Sequence, residues 1–169
     1  MSQSIEAVRA NYRPERAVTL LVGESAPASG KFFYGDDETA FARHIRQAMQ
    51  AAELLPDTID HCKFLDRFKS CGWYLDDLVL TPVDRLAMPD RRKARRAAQA
   101  SLARRIREYR PRAIVSLLMC IREIVEQAAG EAGSDAELFA VPFPGHGNQG
   151  RFREKMAVIV PKLPTLDHP

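Results

Sequence analysis

The chain has 169 residues, of which 46% are apolar and 28% charged, and its formal net charge is +3. This composition supplies one hydrophobic core, so we expect a single domain over residues 1–169. The apolar runs are far shorter than the roughly 20 residues that cross a bilayer, and the chain begins without an apolar signal segment. We therefore expect a cytoplasmic protein with no membrane partner.

The cysteines and histidines do not form a metal-binding pattern. Cys62, Cys71 and Cys120 are odd in number and lack the C-x-x-C spacing of a ligand pair, and no predicted helix carries two histidines at H-x-x-x-H spacing. We expect three reduced core thiols, no metal and no other cofactor.

Short apolar runs that end at glycine or proline predict buried parallel strands. They cover residues 18–22, 74–81, 113–118 and 137–141. Helical periodicity predicts helices over residues 5–11, 38–53, 90–109 and 121–130, with a short helix within 56–72. Residues 156–160 are a candidate fifth strand, and the tail 161–169 lacks a regular pattern.

This alternation of strands and helices predicts an α/β fold. Right-handed crossover connections place the helices on both faces of a parallel sheet. We therefore expect a three-layer α/β/α sandwich with a central four-stranded parallel sheet.

Residues 89–107 form a strongly basic segment, with eight basic residues and one acidic residue. Ala94, Ala98 and Leu102 form an apolar stripe, which predicts that the arginines face outward. A solvated basic face is the usual explanation. The alternative is contact between a nucleic-acid backbone and Arg91, Arg92 and Arg95, because cations at the positive end of a helix dipole are otherwise unfavourable.

Two loops rich in glycine and proline, at residues 22–27 and 143–148, follow predicted strands. In parallel α/β sheets, ligands bind outside the carboxyl ends of the strands. We therefore expect the functional site to include both loops.

Three strings occur in a characteristic order: Gly23-Glu-Ser-Ala-Pro27, Trp73-Tyr-Leu-Asp-Asp-Leu-Val-Leu-Thr-Pro82 and Pro142-Phe-Pro-Gly-His146. Together they resemble the motifs of the uracil-DNA glycosylase superfamily. Their pattern is most similar to that of its iron-sulfur branch. Members of the superfamily place a four-stranded parallel sheet between helices and excise bases that are flipped out of DNA. The resemblance spans residues 18–152.

The chain departs from the family pattern at three positions. Thr81 stands where a cluster-binding cysteine is expected, so ligand count excludes an iron-sulfur cluster. Asp77 replaces the asparagine that reads uracil, and Phe143 occupies the position of the catalytic histidine. An aspartate offers acceptors in place of amide donors, which predicts altered or lost recognition of uracil.

The resemblance implies a DNA glycosylase that hydrolyses the N-glycosidic bond of uracil or another damaged or modified base during base-excision DNA repair. It would act on single- or double-stranded DNA without a cofactor, and we expect a monomer. The alternative is a catalytically inactive, glycosylase-like module that binds nucleic acid or a nucleotide.

The resemblance also suggests roles for individual residues. In this interpretation Glu24 orients or activates water, His146 stabilises the leaving base, and the base is bound by Gly23, Ser25, Phe33, Asp77 and Asn148. Two alternatives remain open: Glu24 as a loop or helix-capping carboxylate, and Phe33 as a core anchor.

Overall fold

The computed structural model describes residues 4–166. Four parallel strands form one sheet in the order β2-β1-β3-β4. They are β1 (Thr19–Gly23), β2 (Trp73–Asp77), β3 (Ala113–Ser116) and β4 (Glu137–Ala140). The predicted four-stranded parallel sheet is confirmed.

Seven helices cover the sheet within the described part of the chain. They are α1 (Ile5–Asn11), α2 (Ala40–Ala51), α3 (His61–Ser70), α4 (Met88–Ala97), α5 (Gln99–Tyr109), α6 (Arg122–Glu131) and α7 (Gln149–Ile159). Helix α5 packs on α6, and α2 packs on α7, as expected for helix layers on opposite faces of the sheet. None of the helices in residues 4–166 combines the length and apolar character needed to cross a bilayer.

The predicted helix over residues 90–109 is two helices. Helix α4 ends at Ala97, Ala98 separates it from α5, and α5 continues to Tyr109. The apolar stripe continues through the break, so periodicity alone did not locate it.

The predicted fifth strand is wrong, because residues 156–160 belong to α7 and the 3-10 turn that follows it. Phe152, Met156 and Ile159 are buried at spacings of four and three residues, which is the helical period. Of the predicted irregular tail 161–169, residues 161 and 162 belong to that turn and residues 167–169 lie outside the described part of the chain.

The prediction that all three cysteines lie in the core is wrong for two of them. Cys71 is buried, whereas Cys62 and Cys120 are exposed, and all three are free thiols. On α3 the buried face consists of Phe64, Leu65 and Phe68, which leaves Cys62 on the solvent side.

Tyr34 closes the open edge of β2. Its hydroxyl accepts a hydrogen bond from the Leu75 N–H at 2.7 Å and donates one to the Leu75 carbonyl at 3.0 Å. The ring is buried and contacts Phe33 edge to face, with centroids 4.9 Å apart. One side chain thus pairs with both backbone groups of Leu75 on the outer side of this edge strand.

We expect Tyr34→Phe to destabilise the protein by about 1–3 kcal/mol, because it leaves the buried Leu75 N–H unsatisfied and leaves the Leu75 carbonyl with only the hydrogen bond from Arg9 Nη1 at 3.4 Å. Chemical denaturation measures the loss. Tyr12→Phe is the matched control, since Tyr12 stacks on Tyr34 at 5.2 Å but is only partly buried. Equal stability of the two variants would contradict this role of Tyr34.

Candidate functional site

The loops at the carboxyl edge of the sheet enclose a cavity of about 490 Å³. The chain leaves β1 toward β2 on one side and leaves β3 toward β4 on the other, and ligands bind where connections diverge in this way. The cavity wall includes seven residues predicted from the sequence: Gly23, Glu24, Ser25, Phe33, Asp77, Arg91 and His146. Residues that are far apart in the chain therefore line the same cavity.

Glu24 follows β1 directly and is engaged by two arginines of α4. Arg91 donates from Nε to Oε1 at 2.7 Å and from Nη2 to Oε2, and Arg95 donates from Nε to Oε1 at 2.5 Å. The Glu24 side chain is 7% exposed. Both carboxylate oxygens are therefore occupied.

This pairing determines the charge state of Glu24. Burial raises the pKa of Glu24, but the hydrogen bonds and charges of Arg91 and Arg95 outweigh it and hold the pKa below its ordinary value of 4.5. A carboxylate with a lowered pKa and two guanidinium partners is a poor proton acceptor. The geometry favours the alternative interpretation, in which Glu24 is a loop carboxylate that positions the arginines.

The prediction that the arginines of the basic segment face outward is wrong for Arg95 and partly wrong for Arg91. Arg95 is buried and Arg91 is about one quarter exposed, because both turn inward to Glu24. Arg92 remains exposed, as do Lys93 and Arg96. The surface of α4 that can meet a polyanion therefore consists of Arg92, Lys93 and Arg96.

Asp76 and Asp77 end β2 as adjacent buried carboxylates with separate partners. Arg105 of α5 donates to Asp76 Oδ2 at 2.5 Å. Arg9 of α1 donates to Asp77 Oδ2 at 2.7 Å, and its Nη1 lies 3.7 Å from Asp76 Oδ1. Two guanidinium groups thus compensate two carboxylates beside the cavity.

Phe33 is mainly a core residue. It is 4% exposed and packs against Tyr34, Phe64 and Phe68, with ring centroids 4.9, 5.9 and 5.0 Å away. Phe143 is 40% exposed and lies 5.4 Å from Phe41 at the cavity wall. The aromatic face open to a ligand is therefore that of Phe143.

His146 lies on the cavity wall in a left-handed backbone conformation, with φ of 51°. Ser25 also borders the cavity, and its hydroxyl accepts a hydrogen bond from the Val83 N–H at 3.2 Å. Asn148 precedes α7 as its N-cap residue and does not line the cavity. The predicted role of Asn148 as a base-binding donor does not fit this position.

Four residues that shape the site were not predicted from the sequence: Arg9, Lys31, Phe41 and Asp84. Arg9 had a detectable signal, because it lies on the same face of α1 as Ile5, Val8 and Tyr12. A charged residue on an apolar face predicts a buried partner. Lys31, Phe41 and Asp84 carry no such signal.

Among residues 4–166, no three His, Cys, Asp or Glu side chains are placed to hold a metal ion. The polar side chains of the cavity wall are instead three carboxylates, one guanidinium group, one amine, one imidazole and two hydroxyls. Such a set suits an organic ligand with hydrogen-bond donors and acceptors on its edge.

No family model matches the chain, and no curated protein sequence matches it significantly. The resemblance to the uracil-DNA glycosylase superfamily therefore stays a prediction that rests on the three strings and their order.

We expect Glu24→Gln to lower the free energy of unfolding by about 3 kcal/mol at neutral pH, because it leaves two arginines without a carboxylate partner. The folded-state pKa of Glu24 lies below its ordinary value, so its stabilisation is present above about pH 4.5 and lost as pH falls through the folded-state pKa. The two proteins should therefore differ less in acid. Denaturation at several pH values measures this.

Glu38→Gln is the matched control for this prediction. Glu38 also pairs with two arginines, Arg43 and Arg46, but its side chain is 22% exposed, so we expect a loss of at most about 1 kcal/mol. An equal loss in both variants would show that the Glu24 pairing has no special weight.

Proposed function

We propose that the protein is a DNA glycosylase-like hydrolase, which cleaves the N-glycosidic bond of uracil or another damaged or modified base. The observation that carries the proposal is the meeting of Asp77, His146 and the Gly23–Glu24 segment around one cavity. Its volume of about 490 Å³ accommodates a single flipped-out base. We further propose that the protein acts in the cytoplasm as a monomer on single- or double-stranded DNA.

The proposed reaction separates charge between the sugar and the base. The bond between C1′ and the base nitrogen breaks, water adds its oxygen to C1′, and the proton that water loses balances the proton that the base gains. Negative charge develops on the departing base, where the His146 imidazole can donate a hydrogen bond. Positive charge develops on the sugar, while Asp77 accepts a hydrogen bond from the polar edge of the base.

The exposed cations of α4 support a contact with the nucleic-acid backbone. Arg92, Lys93 and Arg96 make no ion pair within 4.0 Å among the described residues. Arg91, on the same helix, lines the cavity. Phosphates on α4 would therefore lie next to a base bound in the cavity.

One observation favours a second candidate function, a module that binds a base without hydrolysing it. The two oxygens of Glu24 accept three hydrogen bonds from Arg91 and Arg95, and these lower its pKa, so this carboxylate is a poor base for activating water. Phe143 also lines the cavity, at the position where the resemblance implies a catalytic histidine. Binding would then depend on the same cavity and the same cations.

The test of hydrolysis is a panel of labelled single and double strands that carry uracil, hypoxanthine, xanthine or an alkylated base. We expect abasic sites with at least one of them. His146→Asn should lower the rate by about 100-fold or more, because it removes the donor to the leaving base. Asparagine tolerates the left-handed backbone at this position, so the loop should be retained.

His44→Asn is the control for this substitution. His44, on α2, packs against Phe152 of α7 and does not line the cavity. Its rate should equal that of the unaltered protein. Absence of product from every strand, with DNA binding intact, would reject hydrolysis and support the binding module.

We expect the triple variant Arg92→Ser, Lys93→Ser, Arg96→Ser to weaken DNA binding. The slope of log affinity against log salt concentration should become shallower by about 1 for each phosphate that the variant no longer neutralises. Fluorescence anisotropy over a salt series measures this slope.

The control is a second triple variant, which removes the same charge from α5 and the turn after it: Arg104→Ser, Arg107→Ser, Arg110→Ser. The same slope in both triple variants would rule out a localised interaction on α4.

A further inference from the structure

One carboxylate oxygen on the cavity wall has no donor from the described chain. Asp77 is 5% exposed, and its Oδ2 accepts a hydrogen bond from Arg9 Nη2 at 2.7 Å. No donor within residues 4–166 reaches Oδ1, and this oxygen is not sealed from solvent. Asp77 lines the cavity, and Oδ1 lies against Gly23, which also lines it, so this acceptor with free lone pairs is at the cavity wall.

Arg9 fixes the orientation of this acceptor. The Arg9 side chain is 2% exposed, and its Nη1 also donates to the Leu75 carbonyl at 3.4 Å. With the guanidinium held at two points, the Asp77 carboxylate cannot turn without losing its buried ion pair. Arg9 is therefore a positioning residue for Asp77.

Gly23 keeps Oδ1 of Asp77 unobstructed. A Cβ atom at position 23 would lie 2.5 Å from this oxygen. Any other residue would push the carboxylate aside, so the position of this oxygen depends on glycine at residue 23.

The ion pair with Arg9 also affects the charge of Asp77. Burial raises the pKa of Asp77 above its ordinary value, the neighbouring Asp76 carboxylate adds to the rise, and the adjacent Arg9 guanidinium opposes only part of it. Arg9 thereby favours the ionised carboxylate, which accepts hydrogen bonds and donates none.

We propose that the cavity selects a nucleobase whose polar edge carries an exocyclic amino group, as in cytosine or adenine, over one that carries a carbonyl there, as in uracil or hypoxanthine. Amino N–H groups match Oδ1 of Asp77, whereas a carbonyl oxygen would face another acceptor. The inference rests on the proposed function in one respect, since it takes the cavity to be a base site.

The test uses two ligand pairs that differ only in this group and its ring tautomer: deoxycytidine with deoxyuridine, and deoxyadenosine with deoxyinosine. Each is titrated into the full chain, and the backbone amide resonances of Gly23 and Asp77 report binding by NMR. The amino member of each pair should bind at least about tenfold more tightly, because a hydrogen bond to a charged group is replaced by a repulsive contact. This comparison needs no variant.

Asp77→Asn tests the same contact from the side of the protein. An amide at this position can donate to a carbonyl, so the preference for the amino member should fall to parity or reverse. Asp66→Asn is the charge-matched control, because Asp66 is exposed on α3 and lies outside the cavity wall. It should retain the tenfold preference.

Three results would overturn the inference: equal affinities within each pair, tighter binding of the carbonyl members, or no binding of any of the four nucleosides. Abasic-site formation from oligonucleotides is measured separately. Hydrolysis without the preference would refute the selectivity and leave the proposed activity intact. The preference without hydrolysis would refute the activity and leave the selectivity intact.

Discussion

The structure depends on ion pairs between arginines and three buried carboxylates at the ends of two neighbouring strands. Glu24, Asp76 and Asp77 are each at most 6% exposed, and a buried carboxylate without a partner costs several kcal/mol. Arginines from three helices supply the partners: Arg9 from α1, Arg91 and Arg95 from α4, and Arg105 from α5. The ion pairs therefore join these helices to the edge of the sheet where the cavity lies.

The same compensation determines what remains available to a ligand. Both oxygens of Glu24 accept hydrogen bonds from arginines of α4, and one oxygen of Asp77 accepts a hydrogen bond from Arg9. At the end of β2, Oδ1 of Asp77 is therefore the carboxylate oxygen that these ion pairs leave open. Across the cavity lie the His146 imidazole and the exposed ring of Phe143. A planar ligand with polar groups on its edge satisfies this arrangement better than a metal or a simple anion.

β2 ends in two aspartates and β4 begins with Glu137, but the sequence was sufficient for the other two strands because their predicted segments, residues 18–22 and 113–118, are nearly continuous apolar runs. It was insufficient for the direction of the arginines, because an arginine on α4 has the same local pattern whether it meets solvent or Glu24, a partner 67 residues away. The face of α1 that combines Arg9 with apolar neighbours indicated a buried pair, but no local rule identifies Asp77 as its partner.

The central claim is that the carboxyl edge of the sheet receives a base while α4 contacts the adjacent phosphates. NMR shift mapping of the full chain with a short single-stranded oligonucleotide tests it most directly. The account predicts that the perturbed amides lie in residues 23–33, 77–96 and 143–148. Perturbations confined to the groove beside β4, lined by Met119, Leu138 and Val158, or to the opposite edge at residues 106–112, would contradict it.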